Sequence, residues 1–379
     1  MSVILSSELH YLRGPDGHVY TDSLHPYPYW TRYLDVFERV QVVARVIDGP
    51  LPAGALRADG VGVTFAALPE FVGPGGLARV APATIARVVE ATGPRAAAIL
   101  RVPGFIGSLV WAALVARRRR FGAQVVGDPA ASLDGTAAVR RFRGLGVALT
   151  RRQVATAVAL SYVTRRALQA AYPPPPDAPV VTVSDVDLPD ALFAAPALAI
   201  EARTTVRAAF VGSLEQPYKG LDVLLVALAR ARTAVELTVI GDGRLRRELE
   251  AQATRLGLGA RVRFLGRLPS SAAVQAALPG HDVMIVPSRT EGLPRAMLEA
   301  MALGLPCIAS AVGGVPELLE PSDTVAPDDP AALAGLIDRL DLPRRRHMAT
   351  YQRAVAAEFR QSERDRKLDG FYRAVAARS

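Results

Sequence analysis

Short apolar runs alternate with helix-period segments along the whole chain, the pattern of strands buried on both faces and covered by helices. In the first half, Val3–Leu5, Arg39–Val46, Ala96–Arg101, Ala123–Val126 and Ala157–Tyr162 predict strands, with amphipathic or alanine-rich stretches between them. The alternation breaks at AYPPPPDAPVVTVSDVDLPD. Its four prolines, Pro173 to Pro176, fit neither a helix interior nor a central strand and mark a rigid connector. A cleaner series follows: Arg207–Val211, Glu236–Ile240, Val262–Leu265, Val283–Val286 and Pro306–Ala309, each leading into a helical pattern. No sequence period of the kind that builds solenoids recurs. The expectation is two successive doubly wound α/β domains. Each takes ligands beyond the carboxyl ends of its strands, so two facing each other make one cleft. The segment from Arg344 to Ser379 reads as a charged amphipathic helix or helix pair, long enough to pack back across the first domain.

Composition narrows the class. The 379 residues exceed what one compact core usually fills, and 50% hydrophobic with 21% charged residues excludes a disordered or fibrous chain. A single cysteine, Cys307, excludes an internal disulfide framework and a cysteine-rich metal cluster. The start, MSVILSSELHYLRG, lacks the basic and apolar regions of a signal peptide, and no stretch approaches the roughly 20 apolar residues of a membrane span. A cytoplasmic protein is expected. Only Lys219 and Lys367 are lysines, so the arginine and alanine bias reads first as that of a GC-rich bacterial genome. Even so, the charge is localised. Between Arg117 and Arg166 eleven arginines meet two aspartates, Asp128 and Asp134, which accounts for the whole net charge of +9. Such a patch suits phosphates or an anionic membrane surface, or is simply a solvated helical face. No nucleic-acid-binding motif accompanies it.

The strongest chemical signal is SRTEGLPRAMLEAMALGLPCIASAVGGVPELLE, which follows the apolar run HDVMIVP. Pro294 suits the first position of a helix and Gly304 its end, which puts Glu291 in the loop before the helix and Glu299 in its second turn. Gly292 and Leu293 would present backbone N–H groups at the helix start, where anions are favoured. One carboxylate then sits beside a sugar, and the other is placed to accept from vicinal hydroxyls. An amphipathic helix with two surface glutamates has the same spacing.

The surrounding sequence changes that balance. FVGSLEQPYKGLDVLLVALARA, VIGDGRLRRELEAQATRLGL, VRFLGRLPSSAAVQAAL and the Glu291 segment follow one another as in retaining family-4 glycosyltransferases. The chain resembles that family across essentially its second half. The resemblance implies the GT-B fold, α/β with two facing Rossmann-like doubly wound domains and a C-terminal helix crossing back to the first. The corresponding bounds are 1–195 for an acceptor-binding domain, 196–355 for a donor-binding domain and 356–379 for that helix.

The resemblance further implies retaining, metal-independent transfer of a hexose or N-acetylhexosamine. The donor is a nucleoside-diphosphate sugar, a UDP-sugar foremost, and the acceptor a hydroxyl or amine on a small molecule or glycan. No cofactor beyond the donor is expected, and the chain is expected as a monomer or homodimer. Lys219 and Glu291 take catalytic roles, with Lys219 on the diphosphate and Glu299 on the ribose. Glu291 and the backbone of Gly292, Leu293 and Pro294 position the sugar and β-phosphate, and Arg267 and Leu268 lie near the base. Gly212, Ser213, Gly241, Gly243 and Arg295 complete the donor set, with Gly313 and Gly314 in a turn close by. Gly241 and Gly243 equally suit a purely structural turn.

The chain departs from the family at two places. Ser213 stands where an arginine is common, so the diphosphate needs another cation, from Arg295 or from the first domain. Asp128, in FGAQVVGDPAA, stands where a histidine is expected, and reads either as a catalytic polar residue touching the sugar or as a turn residue before Pro129. In the first domain Gly14 and Gly17 of HYLRGPDGHVY match a glycine-rich loop near donor and acceptor. Tyr20, Tyr27, Tyr29, Trp30, Tyr33 and Phe37, accompanied by His18 and His25, form an aromatic run that suits sugar stacking. Gly14, Gly17, His18, Tyr29 and Trp30 are therefore acceptor-side candidates; a capping helix is the alternative for the aromatic run. No Asp-x-Asp metal motif occurs where one would be expected, and Asp328–Asp329 falls in a proline-rich loop. Two further readings stay open: a sugar-nucleotide epimerase of the same architecture, and a peripheral-membrane protein or glycosyltransferase using the Arg117–Arg166 patch against a lipid-linked acceptor.

Overall fold

The computed structural model describes residues 1–379 apart from 23, 72, 94, 95 and 133–142. The chain forms two compact units. Unit 1 comprises Met1–Val163, Leu168–Val183 and Asp365–Ser379, and unit 2 comprises Thr164–Ala167 and Ser184–Arg364.

Unit 1 is built on β1 (Ser2–Arg13), β2 (Val19–Thr21), β3 (Arg39–Asp48), β4 (Leu56–Arg57), β5 (Val63–Leu68), β6 (Ala96–Val102), β7 (Gly122–Val125), β8 (Leu160–Tyr162) and β9 (Val180–Thr182). Its parallel part runs β5-β3-β1-β6-β7-β8-β9, with helices Gly73–Ala91 and Phe105–Ala116 among its crossovers. β1 outruns the expected Val3–Leu5 because β3 keeps pairing with it through Arg13, across a register slip between Ser6 and His10. The glycine-rich loop expected at the end of the opening strand follows this longer strand: Gly14 and Gly17 form the turn that folds β1 back on antiparallel β2, with Gly17 at φ +79°. β5 and β9 were not anticipated.

The aromatic run also resolves differently from a stacking lip. Trp30, Tyr33 and Phe37 are each 1% exposed and pack in the unit 1 core. What buries them comes from the far end of the sequence. The helix Gln361–Arg378 contributes Leu368, Phe371, Tyr372 and Val375 to that core, with the Tyr372 ring 4.5 Å from Tyr33. Part of the arginine-rich segment is structural as well. Arg117 donates to Thr92 and to the Val89 carbonyl, and Arg119 to the carbonyls of Thr92 and Gly93, closing the end of the Gly73–Ala91 helix. Arg140, Arg141 and Asp134 lie outside the described residues. No helix among the described residues is long and apolar enough to cross a membrane.

Unit 2 contains β10 (Val206–Val211), β11 (Val235–Ile240), β12 (Val262–Gly266), β13 (Val283–Val286), β14 (Cys307–Ser310) and β15 (Thr324–Val325). All pairings are parallel, in the order β12-β11-β10-β13-β14-β15. Counted from β10, this is the 3-2-1-4-5-6 order of a Rossmann sheet, with its switch point between β10 and β13. Clean apolar runs put the expected strands within a residue or so of the observed ones; Pro306–Ala309 shifts to Cys307–Ser310. β15 has only two residues and no apolar run to announce it. Cys307 is fully buried, which pushes its thiol pKa up and leaves it a packing residue.

Candidate functional site

The two loops that leave the switch point of unit 2 hold the charged candidates Lys219 and Glu291. β10 and β13 pair directly, Ala208 opposite Val283 and Ala209 opposite Met284, so their following loops emerge side by side. After β10 the chain passes Gly212 and Ser213, makes one 3₁₀ turn at Pro217–Lys219, and enters the helix Leu221–Arg230 through Gly220 at φ +70°. After β13 it passes Pro287, Ser288 and Glu291 before the helix Arg295–Leu303. That helix begins one residue later than expected: Pro294 is its cap rather than its first residue. Gly304 ends it at φ +84°.

Lys219 and Glu291 meet where these loops adjoin. Lys219 Nζ lies 2.7 Å from Glu291 Oε1, and the Ser288 hydroxyl donates to the same oxygen at 2.7 Å. Their side chains are 21% and 8% exposed, so the pair is partly withdrawn from water, where a charge interaction counts for more. Arg289 locks the two loops together. Its guanidinium grips the Asp222 carboxylate in a two-pronged contact at 2.9 and 2.6 Å and reaches Asp328 at 2.7 Å, while its backbone N–H donates to the Tyr218 carbonyl at 2.7 Å. Neither Ser288 nor Arg289 was singled out from sequence. Asp222 lies 67 positions before Arg289, and no local pattern reports so distant a partner.

Glycines set the close approaches. A Cβ on Gly220 would lie 2.0 Å from the Pro287 carbonyl oxygen, and one on Gly313 1.8 Å from that of Glu291. Gly314 donates its N–H to the Gly292 carbonyl at 2.8 Å, so the loop after β14 braces the Glu291–Gly292 backbone from its other side. Gly241 and Gly243, at φ +151° and +154°, sit where the loop after β11 crosses the loop after β10. A Cβ on Gly241 would fall 1.8 Å from the Gly212 oxygen. Their geometry is that of a tight backbone crossing. Gly212 itself packs against the Lys219 stem.

Glu299 projects from the second turn of the Arg295–Leu303 helix and is 7% exposed. Ser271, beside the helix-capping Ser270, donates its hydroxyl to Glu299 Oε1. Sequence reasoning missed Ser271, although the Ser-Ser pair before a helix was its signal. Burial raises the Glu299 pKa above its ordinary value, against the lowering effects of the Ser271 hydrogen bond and the nearby Arg295 charge. Arg267 is exposed in the loop after β12, and Leu268 packs partly into the core.

The buried Glu299 carboxyl has a checkable pH signature. A carboxyl with a raised folded pKa binds its proton more tightly in the folded chain. Without a ligand, stability therefore falls as pH rises from the ordinary carboxylate range to the raised value. A hydroxyl bonds an ionised carboxylate more strongly than a protonated one, so a ligand held through Glu299 is expected to weaken as pH drops through the raised value. Glu299→Gln is expected to flatten that acid-side loss in a calorimetric titration across pH; an unchanged profile would exclude Glu299 as the titrating group.

The remaining candidates lie in unit 1. Asp128 Oδ1 accepts from the Ala130 N–H at 2.8 Å and from the Tyr172 hydroxyl at 2.5 Å, the contacts of a turn-capping residue. His18 Nδ1 lies 3.2 Å from Asp59 and 2.8 Å from an Arg57 nitrogen, within the β1–β2 and β4 corner. Tyr29 receives a hydrogen bond from Arg101 at 2.9 Å, with His25 stacked on its ring at 3.6 Å and the Arg32 guanidinium 3.8 Å from the ring centre. Trp30 is core, as described above. Among the described residues no group of histidine, cysteine, aspartate and glutamate has the spacing of a metal site.

Residues 205–341, which carry the whole unit 2 sheet, match the family Glycosyl transferases group 1. A GDP-mannose-dependent monoacylated alpha-(1-6)-phosphatidylinositol monomannoside mannosyltransferase of Corynebacterium glutamicum is 36% identical over 143 residues, 34% of this chain and 37% of that protein. The match thus takes in little more than a third of that relative's own length. Solved structures extend the likeness to the whole chain. Sucrose-phosphate synthase from Thermosynechococcus elongatus superposes with a TM-score of 0.73 at 19% identity, covering 100% of both chains. Anabaena Alr3699/HepE in complex with UDP and glucose gives 0.68 at 18% identity, covering 97% of this chain and 98% of that one. The fold is GT-B, α/β with Rossmann-like parallel sheets.

Proposed function

We propose that this chain, whose residues 205–341 match the Glycosyl transferases group 1 family, transfers a sugar from a nucleoside diphosphate to an acceptor hydroxyl or amine. The single observation that carries the reading is the Lys219–Glu291 pair at the switch point of unit 2, two residues before the loop reaches Leu293 and the helix mouth. Rossmann sheets bind nucleotides at this point. The segment-wide family match supports the reading, and UDP is the favoured nucleotide because the related HepE fold is known with UDP and glucose.

In the proposed reaction the bond between the anomeric carbon and the β-phosphate oxygen breaks, and a bond from that carbon to the acceptor oxygen or nitrogen forms. The acceptor's proton passes to the departing phosphate, which leaves as part of the nucleoside diphosphate. Anomeric configuration is retained, and no metal ion is required. Negative charge grows on the β-phosphate as the bond stretches. Lys219 and the N–H groups at the start of the Arg295–Leu303 helix meet that charge, so they stabilise the transition state more than the bound donor. Glu291 holds Lys219 and orients the sugar, and Glu299 accepts from the ribose hydroxyls. Asp128 and the acceptor-side residues Gly14, Gly17, His18 and Tyr29 remain proposals for the second substrate, as does contact of the arginine-rich segment with an anionic membrane.

A thermal-shift screen against UDP, GDP and ADP and their glucose conjugates tests the reading. A ligand at 100 times its Kd is expected to stabilise the fold by about 2.7 kcal/mol. A chain unmoved by all of them would sink the donor-site assignment.

A further inference from the structure

Lys219 does not by itself bring the charge that a diphosphate requires. Glu291 already neutralises it at 2.7 Å. The other cations on the adjoining loops are engaged. Arg289 is held by Asp222 and Asp328, Arg244 by the Glu215 carbonyl and the Gln216 side chain, and Arg246 between Asp242 and Glu250.

Arg295 differs from these. It is exposed at the first position of the Arg295–Leu303 helix, and among the described residues no hydrogen bond or ion pair engages it. It precedes Glu299 by four positions, which puts both on one helical face, with Arg295 one turn nearer the helix start. Its charge already acts on Glu299, lowering that carboxyl's pKa against the effect of burial.

We infer that Arg295 is the second cation of the nucleotide site and contacts the phosphates of a nucleotide whose ribose is held by Glu299. The inference rests on the donor-site reading above. One helical turn, roughly 5.4 Å, separates Arg295 from Glu299 along the helix, and a ribose carries its diol and its 5′-phosphate on opposite sides of its ring. A ribose seated on Glu299 with its phosphates toward the helix start therefore brings them beside Arg295. The planar guanidinium fork matches two phosphate oxygens, which an ammonium does not. Lys219 and Arg295 would then flank the diphosphate from two elements, one from the loop after β10 and one from the helix after β13.

The test compares uridine, UMP and UDP in calorimetric titrations of the parent chain, Arg295→Ala, Arg295→Lys and Lys219→Ala. Arg295→Ala is expected to weaken UDP by about 10- to 100-fold and UMP measurably, while uridine affinity stays unchanged. Arg295→Lys should recover part of the loss, since charge returns without the fork. Retained UDP affinity in Arg295→Ala alongside a loss in Lys219→Ala would overturn the inference and leave the donor site standing. An equal loss for uridine and UDP would also overturn it, because the side chain would then be acting on the helix rather than on phosphate. If UDP does not bind the parent chain, the inference and the reading beneath it fall together.

Discussion

Lys219→Ala is expected to lower sugar transfer by about 100- to 1,000-fold in kcat, the range for removing one charge-stabilising donor from a transition state. The loss should exceed any rise in KM, because the leaving phosphate gains charge only as the glycosidic bond stretches. Lys219 also does structural duty toward Glu291. Its removal leaves that carboxylate, 8% exposed, with the Ser288 hydroxyl still donating to it. For the same reason Glu291→Ala frees Lys219 from the position it now holds. The two effects should not add: Lys219→Ala/Glu291→Ala is expected to cost about as much as the worse single variant. Steady-state kinetics on the four chains with a UDP-sugar make the comparison. Parent-like turnover in both single variants would remove the pair from the chemistry.

The second large effect is expected from a methyl group. Gly313 has φ +53°, a conformation costing an alanine about 1 kcal/mol, and its new Cβ would sit 1.8 Å from the Glu291 carbonyl oxygen. Backbone cannot yield to that contact as a side-chain tip would, so the Glu291 loop must move. Gly220→Ala acts on the same loop from the opposite side, where the new Cβ would meet the Pro287 carbonyl at 2.0 Å. A displacement of about 1 Å in a positioned group can cost 100-fold in rate. Both variants are therefore expected to lose most transfer activity, and to lose more activity than stability. Circular dichroism melts beside kinetics decide it: full activity in Gly313→Ala would mean that the loop after β14 does not set the position of Glu291.

The legible parts of this fold were those whose cause is local. β13 and the helix after it could be read because four consecutive apolar residues, a proline and a terminal glycine all belong to one stretch of chain. Lys219 stood out through its rarity in an arginine-rich sequence. In unit 1 the local pattern misled about burial and strand length where the cause lies far away. Trp30, Tyr33 and Phe37 look like a sugar-stacking surface until Phe371 and Tyr372 cover them, and that cover is more than 330 positions distant. β1 likewise continues past the polar residues Ser6, Ser7 and Glu8 because β3 resumes pairing with it at His10, which no pattern within β1 encodes. Gly14 and Gly17 looked like a phosphate loop for that reason: the strand ends eight residues later than its apolar run.

The return of Asp365–Ser379 to unit 1 reaches into the life of the chain during synthesis. Chains usually mature domain by domain from the amino end as they leave the ribosome. Here the earlier-made unit lacks Phe371, Tyr372 and Val375 until Asp365–Ser379 is translated, while all of unit 2 precedes that segment. The later-made half would thus finish ahead of the earlier one, and ending the chain after Val183 would yield an amino-terminal fragment with an open hydrophobic face.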